Sequence, residues 1–156
     1  MPSSKSKRPP RRRHSKVPTP KPKVRKAPVA PVKADPSAVE LVAAKGSPGK
    51  GGDEGGEAWT VMSDGKRAGV IFINLIDEPP LGFHASIQIF LNQKSQGQGI
   101  GRAAYRKAAE ASRYDLIFAH MRKSNVASRR AAEAAGFSNA TPLGYPQLIM
   151  RWTRER

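Results

Sequence analysis

The fold turns on one stretch, Gln96-Gly97-Gln98-Gly99-Ile100-Gly101-Arg102, and on what flanks it. Behind it, Leu81–Leu91 (LGFHASIQIFL) is apolar-rich and reads as a strand. Ahead of it, Ile100–Arg113 (IGRAAYRKAAEASR) is alanine-rich, has no Gly or Pro after Gly101, and reads as a helix. Three glycines at alternate positions let backbone amides crowd together where the helix begins. Its first-turn N–H groups and its dipole favour negative charge there. Two readings follow from the residues, an anion cradle or a plain strand-to-helix turn. A Rossmann fingerprint read from Gly97 needs glycine where Arg102 stands. Read from Gly99, it lacks an acid after the next strand, which closes on Met121-Arg122-Lys123. A Walker loop needs Gly-Lys-Ser/Thr, which is absent here.

Working outward, Ala58–Met62 and Arg67–Ile76 read as strands joined by a Ser63–Lys66 turn (SDGK), a hairpin. Downstream, Asp115–Met121 reads as a strand, Val126–Ala135 as a helix stopped by Gly136, and Gln147–Trp152 as a closing strand. The order is β-β-β-α-β-α-β, an α/β domain with a mixed sheet and two helices over residues 57–156. Upstream, Asp35–Lys45 (DPSAVELVAAK) reads as a short helix capped by Asp35 with Pro36 in its first turn. Gly46–Gly56 reads as a glycine-rich linker, so that 36–56 joins tail to domain.

The 156 residues carry 28 Lys+Arg against 12 Asp+Glu, a net charge of +16. Residues 1–35 hold twelve of the bases and one acid, about +11 of that total, together with eight prolines that oppose helix and sheet. This tail reads as disordered. It is too proline-dense for the amphipathic helix of a transit peptide. The absence of cysteine excludes disulfide frameworks, thiolate zinc sites and an acyl-cysteine intermediate; no metal site is expected. The longest apolar runs, such as Gly69–Ile76, are too short to span a bilayer, and a cytoplasmic protein without a membrane span is expected.

With the loop and strands in place, the sequence resembles the GNAT superfamily of acyl-CoA-dependent N-acetyltransferases. That family's phosphate loop has the pattern Gln/Arg-x-x-Gly-x-Gly/Ala, and Gln96-Gly97-Gln98-Gly99-Ile100-Gly101 fits it. A second signature follows in NVASRRAAEAAGF, with Asn125, Ser128 and Gly136-Phe137 at family spacing. The resemblance implies a GNAT-like fold with acetyl-CoA as cosubstrate, its pantetheine arm lying between two splayed parallel strands, Leu81–Leu91 and Asp115–Met121. It further implies that backbone of Ile89, Phe90 and Leu91 holds the arm. The pyrophosphate would then sit on the loop from Gln96, through Gly97, Gln98, Gly99, Ile100 and Gly101, to Arg102, and Asn125 would contact the arm. Asn125 also reads as the cap of the following helix, and both uses hold together. Typical members begin with a strand and two helices before the hairpin, and here tail and linker stand in that place. The cleft is then open, which favours a protein or peptide amine as acceptor.

Direct acyl transfer needs a base for the amine and a proton for the departing thiolate. His120, five residues before Asn125 at a strand end, stands where relatives of the ribosomal-protein and N-terminal acetyltransferases carry Glu or His. It reads as the base or as a packed strand-end histidine. His84, on the neighbouring strand, reads as facing the same groove or as packed. Many members place a tyrosine seven residues after the Asn to protonate the thiolate, but this chain has Ala132 there. Tyr105, Tyr114 and Tyr145 fall elsewhere, leaving Ser128 or water as the proton source. The rival to an enzyme is a catalytically weak GNAT-like binding module acting through its basic tail.

Clustered Lys and Arg bind polyanions by releasing counterions, so nucleic acid or a ribosome is the expected partner of residues 1–35. An acidic protein or anionic lipid satisfies the same electrostatics. Deleting residues 1–35 is expected to leave ligand binding by the loop intact while weakening DNA or RNA retention at low salt, measured by filter binding across a salt series. Unchanged retention would move the binding surface to the Arg129-Arg130 region.

Overall fold

The computed structural model describes residues 35–155, and the basic segment 1–34, with the tail reading drawn from it, lies outside the described residues. The element order is β1 (Val39–Ala44), β2 (Glu57–Ser63), β3 (Lys66–Glu78), β4 (Gly82–Leu91), α1 (Ile100–Ala111), β5 (Leu116–Arg122), α2 (Val126–Ala134), β6 (Ser138–Asn139) and β7 (Gln147–Thr153). These strands form one seven-stranded mixed sheet in the order β1-β2-β3-β4-β5-β7-β6. The expected α/β architecture is present, with two strands added to it.

Local chemistry accounts for most of this. β2 and β3 pair antiparallel through a two-residue turn in which Asp64 (φ 50°) and Gly65 (φ 73°) both take positive φ, as the right-handed twist of a hairpin demands. Along β4, Ala85 and Ile87 join the core that α1 and α2 cover, and along β5 so do Ile117, Ala119 and Met121. Because successive side chains of a strand alternate between faces, His84 and Ser86 of β4 and Phe118 and His120 of β5 lie on the opposite face.

The N-terminal segment departs from the expected helix and linker. Asp35 does cap a turn, its Oδ1 accepting the Ser37 N–H at 2.9 Å, but that turn is a 3₁₀ turn of Pro36–Ala38 and the chain then enters β1 rather than a helix. Alanine-rich VELVAA has helix propensity, yet β2 offers it a full antiparallel ladder from Val39↔Ser63 to Ala44↔Ala58. Val39 is fully buried beneath α1, whose Lys107 Nζ donates to the Val39 carbonyl. The first strand of the family pattern is therefore present.

Residues 46–56 are not a plain spacer either. The Gly51 N–H donates to Asn74 Oδ1 at 2.7 Å, Asn74 Nδ2 donates to the Gly49 carbonyl at 2.8 Å, and the Gly49 N–H donates to Asp53 Oδ2 at 2.7 Å. At the far end Tyr114 Oη donates to the Gly55 carbonyl, and Ser112 Oγ donates to Glu57 at 2.5 Å. The loop is fastened to β3 and to the end of α1, and no helix occupies it among the described residues.

A chain of residues 57–156 would lose the burial of Val39 and bare the edge of β2. Burying a Val side chain contributes roughly 1.5–3 kcal/mol, so this fragment is expected to melt about 10 °C below residues 35–156 and to self-associate. Thermal melts and size-exclusion chromatography check this; equal melting would make residues 35–56 dispensable.

Candidate functional site

The candidate site begins where the sheet comes apart. β4 and β5 are parallel neighbours with a single registered pair, Ser86↔Phe118, whereas β4 is laddered to β3 from Glu78↔Gly82 to Gly69↔Leu91. Beyond the Ser86↔Phe118 pair no further residue of β4 is registered with β5, so the β5-facing amides of Ile89 and Leu91 have no strand partner, an opening an extended ligand can complete. Ile89, Phe90 and Leu91 lie along it, Ile89 and Leu91 half-buried and Phe90 57% exposed.

The chain leaves β4 through a 3₁₀ turn, Gln93–Ser95, and reaches α1 through the glycine loop. Gly97 (φ 75°) and Gly99 (φ 77°) hold the left-handed conformation, and Gly99 caps α1 without any side-chain hydrogen bond. The first-turn amides of Ile100, Gly101 and Arg102 have no acceptor within the helix, and no capping side chain occupies the space before them. Gly101 lies against α2 with room for a methyl group: a Cβ there would stand at ordinary contact, 3.5 Å from Ala131 Cβ. The two glutamines brace the loop itself. Gln96 Nε2 donates to the Leu91 carbonyl at 3.3 Å and Gln98 Nε2 to the Lys94 carbonyl at 2.7 Å.

Asn125 caps α2, its Oδ1 accepting the Ser128 N–H at 3.2 Å. One turn beyond Ser128, Ala132 is fully buried. Tyr105 of α1 meets this face of α2: its ring lies edge-on to Phe137 with centroids 5.7 Å apart, and burial, opposed by the nearby Ser128, pushes its phenol up to about 12. Sequence spacing along α2 could not reveal this tyrosine, because it arrives from the other helix.

The second histidine also comes from another element. His84 Nε2 lies 2.8 Å from His120 Nε2, and His84 Nδ1 lies 2.7 Å from the Gly82 carbonyl oxygen. His84 is buried, with its ring edge-on to Phe118. Burial, then the neighbouring His84, lower the pKa of His120, while Glu78 opposes them. Among the described residues two buried side-chain polar atoms lack a partner, Ser86 Oγ and His120 Nδ1. The first belongs to the residue at which the β4–β5 ladder stops, and the second lies two residues past its pairing partner on β5.

Comparison with known proteins agrees with this geometry. The sequence matches the Acetyltransferase (GNAT) domain over residues 13–138, and the chain belongs to that family. Among curated proteins no sequence matches it. Among solved structures, it is similar to AAC(6')-Ib in complex with coenzyme A and kanamycin (21% identity, TM-score 0.54, covering 65% of this chain and 68% of that one). It is also similar to the same protein in complex with paromomycin and acetyl-CoA (21% identity, TM-score 0.54, covering 65% and 66%), so the chain spans about two thirds of that relative's length. An acetyltransferase of the GNAT family from Streptococcus agalactiae has 15% identity and a TM-score of 0.52, covering 64% and 66%. At these identities the likeness is one of fold. No described helix is long and apolar enough to cross a membrane.

Because the folded state lowers the His120 pKa, the unfolded chain takes up a proton first as pH falls through about 6.5, and the native state loses stability there. His120→Gln is expected to lose less stability than wild type between about pH 7.5 and about pH 5.5 in urea unfolding. An equal loss would contradict the shift.

Proposed function

We propose that the chain is an acetyl-CoA-dependent N-acetyltransferase that transfers acetyl to a protein or peptide amine by direct attack. The observation that carries this reading is the coincidence of the broken ladder with the two unpartnered buried polar atoms, Ser86 Oγ and His120 Nδ1. Such atoms are costly in a folded protein unless a ligand or water completes them. The residues also fit acetyl-CoA at the loop, where the amides from Gly97 to Arg102, including the uncapped first-turn N–H groups of Ile100, Gly101 and Arg102, suit a pyrophosphate.

Acetyl-CoA, when bound, supplies an acyl group activated as a thioester. The β5-facing backbone of Ile89 and the Leu91 amide receive the arm as a pseudo-strand alongside Phe90, and Asn125, held by its capping bond, borders it. A new C–N bond forms at the acyl carbon as the C–S bond breaks. His120 Nδ1 takes the proton shed by the amine, and its lowered pKa keeps it unprotonated at neutral pH. The leaving sulfur takes a proton from Ser128, or from water held there, since Ala132 offers none. Tyr105 beside Ser128, with its raised pKa, keeps its own proton.

The choice of a protein or peptide amine over a small enclosed acceptor rests on the β1–β2 connection. It is a fastened loop at residues 45–56, which leaves that side of the cleft without the two helices that family members carry. The basic tail serves as a handle for nucleic acid or a ribosome. That role is carried by its charge alone.

Gly99→Glu places bulk and negative charge at the helix cap and is expected to abolish the rise in Tm caused by acetyl-CoA. His120→Ala is expected to keep that rise while kcat/KM on an unblocked peptide library falls roughly 10²–10⁴-fold. A normal Tm rise in folded Gly99→Glu would refute the loop assignment. Absence of transfer by wild type to any amine would favour a binding module.

A further inference from the structure

We propose that His84 is a positioning residue that fixes the tautomer of His120, so that His120 Nδ1 is the nitrogen of the pair left bare to take the amine proton. This rests on the reading of His120 as the base.

Hydrogen-bond logic carries the proposal from a fixed end. A carbonyl only accepts, so at 2.7 Å from the Gly82 oxygen His84 Nδ1 must carry the hydrogen. A neutral imidazole has one N–H, which leaves His84 Nε2 with a bare lone pair. That lone pair faces His120 Nε2 at 2.8 Å, a distance at which two lone pairs repel, so His120 Nε2 carries the hydrogen and donates it. His120 in turn is left with a bare Nδ1, the buried atom that has no partner in the protein.

The opposite arrangement is disfavoured. If His84 instead carried its single hydrogen at Nε2 and donated it to His120 Nε2, its bare Nδ1 would face the Gly82 carbonyl oxygen at 2.7 Å, lone pair against lone pair. If each ring carried a hydrogen at Nε2, the two would collide. The pair therefore accepts one proton, at His120 Nδ1. The resulting imidazolium is stabilised through Nε2–H to His84 and, beyond it, to the Gly82 carbonyl dipole. This is the orienting role that a third group plays behind a catalytic histidine. Burial of His84 and the edge of its ring against Phe118 hold it in place.

The test uses the full chain with ¹⁵N-labelled histidine and compares wild type, His84→Gln, His84→Leu and His120→Gln. At neutral pH the wild-type spectrum is expected to show His120 protonated at Nε2 and His84 at Nδ1. In His84→Leu, His120 is expected to become a tautomer mixture, and kcat on an unblocked peptide library to fall roughly 10–100-fold, with KM for acetyl-CoA unchanged. In His84→Gln, the amide oxygen still accepts from His120 Nε2, so tautomer and most of kcat are expected to return. His120 protonated at Nδ1 in wild type, or an unchanged tautomer in folded His84→Leu, would overturn the proposal; so would a His84→Gln variant as impaired as His84→Leu. Full turnover by His120→Gln overturns the base reading and the positioning role with it. Loss of turnover in His120→Gln beside full turnover in His84→Leu overturns the positioning role alone.

Discussion

The structure depends on a hydrogen-bond ladder that stops. β4 is fully paired with β3 on one side, and on the other it meets β5 at a single registered pair, Ser86 with Phe118. A buried backbone group without a partner is expensive, so a sheet opens in this way only where other forces hold the strands apart or a ligand fills the gap. Here the helices do the holding. α1 begins at the end of the loop leaving β4, α2 begins at the end of the loop leaving β5, and they close against each other through Ala132 and Tyr105 and at the small residues Gly101 and Ala131. Everything assigned to function lies along that opening: the glycine loop at one end, Asn125 beside it, and the histidine pair on the sheet face opposite the helices.

The electrostatics of the opening follow from the same arrangement. The loop end presents N–H groups and a helix dipole, which suit an anion. At the histidine end His84 is buried, and Glu78 is close enough to bear on His120. Ala132 shapes the middle. A tyrosine at that fully buried position would collide with α1, whose Tyr105 is buried in the same core.

Much of this was legible in the residues. Gln96–Arg102 announced both the strand before it and the helix after it, because glycine at alternate positions before an alanine-rich run has few other uses. The SDGK turn announced its hairpin. What escaped depended on partners distant in sequence. VELVAA has the composition of a helix and becomes a strand because β2 presents a matching edge. The glycines of residues 46–56 suggested a spacer because the Asn74 amide that fastens them lies more than twenty residues on. His84 was visible as a histidine on the adjacent strand, yet its bond to His120 joins residues 36 apart. That bond could be read only once the strands were neighbours and alternation had put both rings on one face. Tyr105 was set aside for the same reason, since spacing along α2 is blind to a side chain from α1.

The central claim, that the opening between β4 and β5 is the slot for an extended acetyl-CoA arm, is tested most directly by amide hydrogen exchange on the full chain with and without saturating acetyl-CoA. The account predicts slowed exchange at the Ile89 and Leu91 amides that face β5 and at Gly97–Arg102, with the β1–β2 ladder unchanged. Unaltered exchange at both sets of amides under saturating acetyl-CoA would contradict it.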